Sequence, residues 1–436
     1  MSRRKSSLAI AMAICLGFVL SPAAKTPART DPEQTGTAVI GIPLRPGLAG
    51  SLRSLRLDPL AVWKGALYVR AGEGDRRRLR AAGLASFEPR DIFRAVPRTA
   101  SEAEGGPNGA YHSYSELETE MTGLQSKYPE LAKLTSIGLS LENRRLLALK
   151  ISDHPGLEED EAGILLVGGH HAREWISVEV PLQIAASLLE GYDSDPSIRD
   201  LVNGSEIWVV PMLNPDGLEY SIWSYRYWRK NRRANADGSF GVDLNRNYDC
   251  QWGIDDVGSS PDPESEVFRG PEAFSEPEPK ALRDFVLRQG FSAAVFYHSY
   301  SQLILYPWSW TSEPAPKRLE FEALAGKLSE LIAAVSGRIY AAGQSGEDLY
   351  TSNGDAADWV YAGLDVPALT IELPPVDLVN GGFLNAEADI ASISGENMPA
   401  VQELIRSAIR GYASGSRGHG ATVVIRAAGR TPARIR

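Results

Sequence analysis

From residue 110 to residue 411 the chain alternates short apolar runs with longer amphipathic ones. This alternation limits the possible folds more than any other feature. The runs at 163–167, 206–210, 293–297 and 367–373 are rich in Ile, Leu, Val and Ala and end in turn-like residues. A strand with one wet face would alternate polar and apolar residues; these do not, so they read as strands buried on both faces. Helical patterns lie between them at 176–189, 279–289, 317–335 and 398–409. Buried strands separated by helices predict an α/β sandwich around a largely parallel or mixed sheet. Chemistry in such folds sits at strand ends, and the polar clusters of this chain fall there.

Charge divides the chain further. The net charge of −10 is the sum of +3 over residues 1–24, +5 over 25–109, −25 over 110–405 and +7 over 406–436. An acidic body with basic ends, and a pI near 5.3, argue against a nucleic-acid binder. Two cysteines cannot build a disulfide scaffold or a multi-cysteine zinc ribbon.

The ends read as separate pieces. Residues 1–24 have the form of a secretory signal: Arg3, Arg4 and Lys5, an apolar stretch at 8–20, then Ser21-Pro22-Ala23-Ala24. The stretch is too short for a comfortable membrane span, so export without stable membrane insertion is expected. Cys15 leaves with the signal, and Cys250 then has no intramolecular partner. Residues 25–109 read as a small α/β module, with strand-like pieces at 37–42 and 66–69 and a basic helix near 75–82. Its last ten residues, ASEAEGGPNG at 100–109, form an exposed linker of the kind that proteases cut. The Arg-rich tail, 412–436, is expected to be flexible.

Four clusters carry chemistry. Gly168-Gly169-His170-His171-Ala172-Arg173-Glu174-Trp175 follows a buried strand and precedes a helix. A histidine and a glutamate there suit zinc, and a third ligand with an open position would make the site catalytic. Spacing alone leaves His170 and His171 as alternatives. Of the six histidines, His298 alone ends a strongly apolar strand far from His171, which makes it the natural third ligand. Arg229, Arg232, Arg233 and Arg246 are cations suited to bidentate carboxylate recognition, in a segment of opposite net charge. Glu372 ends the fourth apolar run and is a candidate general base beside a metal-bound water. A Gly/Ser/Asn-rich loop over 340–354, carrying Tyr350, is expected to move.

Taken in order, GGHHAREW, LNPDG, YWRKNRR, VDLNRNY, YHSYSQLILYP, LYTSNGDAADW and ALTIEL give the chain from about Tyr111 to Tyr412 its likeness. This stretch resembles the zinc carboxypeptidases of the carboxypeptidase A/B type, and among them the secreted bacterial carboxypeptidase T group. The resemblance implies a mixed eight-stranded sheet sandwiched by helices, preceded by a small α+β pro-segment. It implies one Zn2+ held by His171, Glu174 and His298, which sets His170 aside. It implies Glu372 as the catalytic glutamate and Arg232 as the arginine that polarises the scissile carbonyl. Asn245 and Arg246 would hold the substrate's terminal carboxylate and Tyr350 would close over the bound residue, while Arg173 and Tyr300 would line the cleft.

The terminal side chain would enter a pocket lined by Leu305, Ser309, Ser345, Leu349, Ser352, Asp355, Ala357 and Thr370. Ala357 stands where basic-specific members carry an acid. The expectation is therefore cleavage after apolar residues, with basic ones also accepted through Asp355. Peptide substrates with a free carboxylate, an activating protease and a monomeric state are the expected partners and assembly. The main competing reading is a related zinc amidohydrolase acting on peptidoglycan peptides, which need not keep the Asn245/Arg246 pair; an inactive peptide-binding relative is another. No G-x-S-x-G nucleophile elbow is present, which disfavours a Ser-His-Asp hydrolase. After Glu372 the family pattern is broken by Leu373-Pro374-Pro375, which puts the local loop geometry in question.

Overall fold

The computed structural model describes residues 38–43, 58–63, 66–87, 108–376 and 380–414. The signal at 1–24, most of the linker at 100–109 and the tail beyond 414 lie outside the described residues. The strands are β1 (Ala38–Pro43), β2 (Asp58–Trp63), β3 (Ala66–Ala71), β4 (Ala132–Leu139), β5 (Arg145–Ile151), β6 (Ala162–Val167), β7 (Ser205–Val210), β8 (Ala293–Ser299), β9 (Leu303–Tyr306), β10 (Ala341–Gln344) and β11 (Ala368–Leu373). The helices are α1 (Glu73–Ala81), α2 (Tyr114–Lys127), α3 (Ile176–Gly191), α4 (Pro196–Val202), α5 (Pro215–Trp223), α6 (Pro277–Gln289), α7 (Arg318–Ser336), α8 (Ser345–Asp348), α9 (Ala356–Leu364) and α10 (Ile390–Ala413).

Eight strands form one mixed sheet in the order β10-β9-β11-β8-β6-β7-β5-β4. The central four, β11, β8, β6 and β7, run parallel. They are the four apolar runs of the sequence, and their Ile164, Leu165, Val209, Val295 and Leu369 are wholly buried. The β4–β5 pair at one edge is antiparallel, and β4 is buried only at intervals. Its exposed positions explain why a search for apolar runs passes over it. Helices α3 and α10 pack against the sheet and each other, and α7 packs on α10.

The N-terminal unit has its own antiparallel sheet, β1-β3-β2. Its small core is Ile40, Ile42, Val69, Ala71, Leu79 and Leu84, separate from the main one. The stretch at 340–354 differs from the expected loop: it contains β10 and the helical turn α8. Beyond Glu372 the Pro374–Pro375 peptide is cis, and Asn385 Nδ2 donates to the Pro374 carbonyl at 2.7 Å.

Candidate metal centre and substrate cleft

Parallel strands place their C-terminal ends on one side of the sheet, and here those ends carry the reactive groups. Strand β6 leads into the loop with His171 and Glu174, its neighbour β8 carries His298, and β11 carries Glu372. Register aligns Glu372 with His298 across β11 and β8, so both side chains leave the sheet on the same face.

Local packing fixes the first loop. Gly168 lies so close to α3 that a Cβ would sit 2.0 Å from the Ser177 carbonyl oxygen. Its own N–H donates to Val210 O, and Leu213 N donates back to Gly168 O. Asn214 caps α5 and donates through Nδ2 to His170 O and Lys230 O. The loop is therefore held by the end of β7 as well as by α3.

His171 Nδ1 lies 2.8 Å from Glu174 Oε1, and His298 Nδ1 lies 3.0 Å from Glu174 Oε2. The two Nδ1 atoms are 3.1 Å apart. One ligand atom from each of the three residues falls within 4.8 Å of the others, and all three residues are buried. His171 Nε2 faces Asp243 Oδ1 at 3.1 Å; a proton placed there leaves the Nδ1 lone pair for a metal. Two imidazole nitrogens and a carboxylate are the donors zinc prefers, so the residues present fit the ion. His170 points elsewhere, with Nε2 2.8 Å from the Tyr248 hydroxyl.

The charges interlock. Burial would raise the Glu174 carboxyl, but His171 and His298 hold it far below the usual range. Burial lowers His171, assisted by Arg229. Asp243 likewise stays well below the carboxylate range despite burial, because Arg229, Arg246 and His171 surround it. Glu372 behaves differently. Burial and the Glu174 and Asp355 carboxylates push it up to about 8, against the pull of His298 and Arg229.

The Arg232 guanidinium carbon lies 3.6 Å from the Tyr220 ring centroid, 4.7 Å from Trp228 and 5.0 Å from Phe240. Arg229 is the cation beside the cluster, with Nη1 3.8 Å from Glu174 Oε1. Its Nε and Nη2 both donate to Asp243 Oδ2, at 3.0 and 2.9 Å.

Asn245 and Arg246 sit in a short 3-10 turn after Asp243, which accepts from Asn245 N at 3.0 Å. Both are buried, and Arg246 Nε has no hydrogen-bond partner among the described residues. The Tyr350 ring lies 5.8 Å from the Arg246 guanidinium and is 44% exposed, so it is the exposed partner of this pair. Arg173 is buried and stacks on Phe383 at 4.3 Å, and Tyr300 meets the same ring edge-on at 4.8 Å. Arg226 ties the group together by donating to Arg173 O and Phe383 O. Phe383, Arg226 and Asp243 were not singled out from the sequence; Asp243 alone left a signal, as an acid between apolar residues one position before the Leu-Asn-Arg turn.

The residues expected to line the side-chain pocket are knitted together. Thr370 pairs with Leu305 across β11 and β9. Ser352 N donates to Ser309 O, and Leu349 N donates to Ser345 O. Ala357 is buried in the first turn of α9. Asp355, expected to read basic side chains, is hydrogen-bonded to α9 and to Asn245. Its Oδ1 accepts from Ala357 N and Asp358 N at the start of α9, and its Oδ2 accepts from Asn245 Nδ2 at 2.8 Å.

Comparisons with known proteins agree with this geometry. A family model described as zinc carboxypeptidase matches residues 117–400. Carboxypeptidase B of Astacus astacus is 35% identical over 298 residues, covering 67% of this chain and 95% of its own length. A zinc carboxypeptidase of Saccharothrix mutabilis subsp. capreolus is 31% identical over 428 residues, covering 92% of this chain and 95% of its own. Among solved structures, thrombin activatable fibrinolysis inhibitor superposes with a TM-score of 0.70 at 25% identity, covering 86% of this chain and 99% of that one.

Proposed function

The chain belongs to the zinc carboxypeptidase family, and from that premise we propose that it removes C-terminal residues from peptides with the side chains gathered at the ends of β6, β8 and β11. The observation that carries the reading is the convergence of His171, Glu174 and His298 next to Glu372 in register. Zinc bound by those three residues supplies Lewis acidity, which acidifies water and polarises a carbonyl.

The chain's own residues account for the remaining steps. Glu372 takes the proton of the attacking water and passes it to the leaving amine. Arg232 donates hydrogen bonds to the oxygen that becomes negative, a contribution that grows in the transition state. Asn245 and Arg246 bind the terminal carboxylate, which restricts cleavage to the last peptide bond. Tyr350 closes over the bound residue, and Arg173, Tyr300 and Phe383 line the cleft on the other side. Leu305, Thr370 and Ala357 favour an apolar terminal side chain.

The protein is exported and made as a proenzyme, with residues 25–109 as the activation segment. In support, the described residues before 88 have a core of their own. The 428-residue alignment is also too long to lie wholly within residues 110–436. No helix among the described residues is long and apolar enough to cross a membrane.

The test is mass spectrometry of a peptide library incubated with the protein, with and without a chelator. Progressive loss of C-terminal residues, abolished by the chelator and absent from C-terminally amidated peptides, is the expected result. Chelator-resistant cleavage, or equal cleavage of amidated peptides, rejects the proposal.

A further inference from the structure

We infer that Asp355 is a positioning residue for the terminal carboxylate, acting through Asn245; this rests on the reading of Asn245 and Arg246 as carboxylate binders. The Asn245 amide is held at both of its ends by the start of α9. Its Oδ1 accepts from Ala356 N at 2.9 Å, and its Nδ2 donates to Asp355 Oδ2 at 2.8 Å. The two bonds set which end of the amide is nitrogen and where it points. The Asn245 backbone N–H is taken by Asp243. An amide nitrogen has two hydrogens, so one Nδ2–H remains to meet a ligand oxygen.

Asp355 is equally constrained. Its other oxygen caps α9 through Ala357 N and Asp358 N, at 2.9 and 3.2 Å. Three of roughly four acceptor positions on a carboxylate are then occupied by protein donors. Both residues are 5% exposed, so neither bond competes freely with water. The backbones are pressed together beside this pair. Gly354 has φ +73°, and a Cβ on it would lie 2.2 Å from Arg246 O. The segment carrying Asp355 therefore reports directly on the position of the Asn245-Arg246 turn. A carboxylate turned toward Asn245 and the helix start is not turned toward a lysine or arginine in the side-chain pocket. The acid read from the sequence as a specificity group serves the main-chain carboxylate instead.

The test uses the full-length, zinc-loaded protein and two probes, 3-phenylpropionate and 3-phenylpropionamide, which differ only in the carboxylate. Asp355→Ser keeps a helix cap but is too short to reach Asn245. It should weaken the acid about 10-fold, the loss of one oriented bond to a charged group, and leave the amide unchanged. Asp355→Asn cannot accept from both Asn245 and the helix with its single oxygen and should weaken the acid as well. Asn245→Ala should weaken the acid by a similar factor, and adding Asp355→Ser to it should cost nothing more. KM should rise equally for peptides ending in apolar and in basic residues, with kcat changing less. Additive losses in the double variant, equal losses on acid and amide, or a loss confined to basic peptides would each overturn the inference. A wild-type affinity for the acid in Asn245→Ala would reject the carboxylate reading itself, and the inference with it.

Discussion

Glu174, His298, Glu372 and a histidine at 170 or 171 stood out because each ends or follows an apolar strand, and a polar group there has few structural uses; the preference for His171 came from the likeness to the family. Arg229 and Arg232 lie in one short basic stretch, and the likeness to the family rather than the stretch itself gives Arg232 the role at the carbonyl. Arg229 shares Asp243 with His171, whereas Arg232 lies among three aromatic rings. Arg232→Ala is expected to lower kcat by roughly 10²–10³ with little change in KM, as for loss of an oxyanion donor. Arg229→Ala should act through the buried Asp243 that it holds. Steady-state kinetics of the two variants check the assignment, and the reverse pattern would move the role to Arg229. Glu372 gives a pH prediction. It must be deprotonated to act as a base, so kcat/KM falls as pH falls through its pKa. The surrounding acids and burial raise that value to about 8, and a bound divalent cation pulls it back down. The acid limb should then lie between the ordinary glutamate value of about 4.3 and about 8. Glu372→Gln should lose several orders of magnitude in turnover, and its residual activity should lack this limb. A limb that persists unchanged in that variant assigns the titration to another group.

At the level of elements, the parallel strands at the centre of the sheet announced themselves and the others did not. The four parallel strands each contain a run of at least four apolar residues or nearly so, with polar groups toward their ends, so β6 and β8 could be read within a residue or two. Strand β4 is buried only at intervals, and β9 and β10 are four residues long, so none of these gives a strong signal; β5 is buried from Leu146 to Ile151 and was passed over although its apolar run resembles those at the centre. Helix α10 begins eight residues earlier than its pattern suggests and accommodates Pro399 within it. The energetic counterpart is a contrast between centre and edge. Ile164 on β6 is fully buried, while Leu139 at the end of β4 is 50% exposed. Ile164→Ala should destabilise by about 2–5 kcal/mol, and Leu139→Ala by about 0.5 kcal/mol or less. Urea unfolding at saturating zinc measures both, and similar costs would contradict the placement of β6 at the centre.

Across the whole molecule the charge division becomes a statement about activation. The basic unit before residue 110 and the acidic body after it attract each other, and Arg78 Nη1 lies 3.9 Å from Asp262 Oδ2 between them. Both side chains of that pair are substantially exposed, so it adds little by itself; the attraction belongs to the summed field. Such a field is screened over about 10 Å at 0.1 M salt, and it holds a unit in place without specifying its pose. Two consequences follow for a protein cut within 100–109, the stretch of small and acidic residues between the halves. Activity should rise on cleavage, because the N-terminal unit is then free to leave. For the cut protein, activity should also climb as salt is raised from about 50 mM to about 500 mM, a range over which the screening length shrinks severalfold. The uncut protein should change much less, since its tether keeps the local concentration of the unit high. Initial rates on one peptide across that salt range, before and after limited proteolysis, separate the cases. Full activity before cleavage would make the unit a folding aid only, and a salt-independent rate after cleavage would assign its hold to apolar contact.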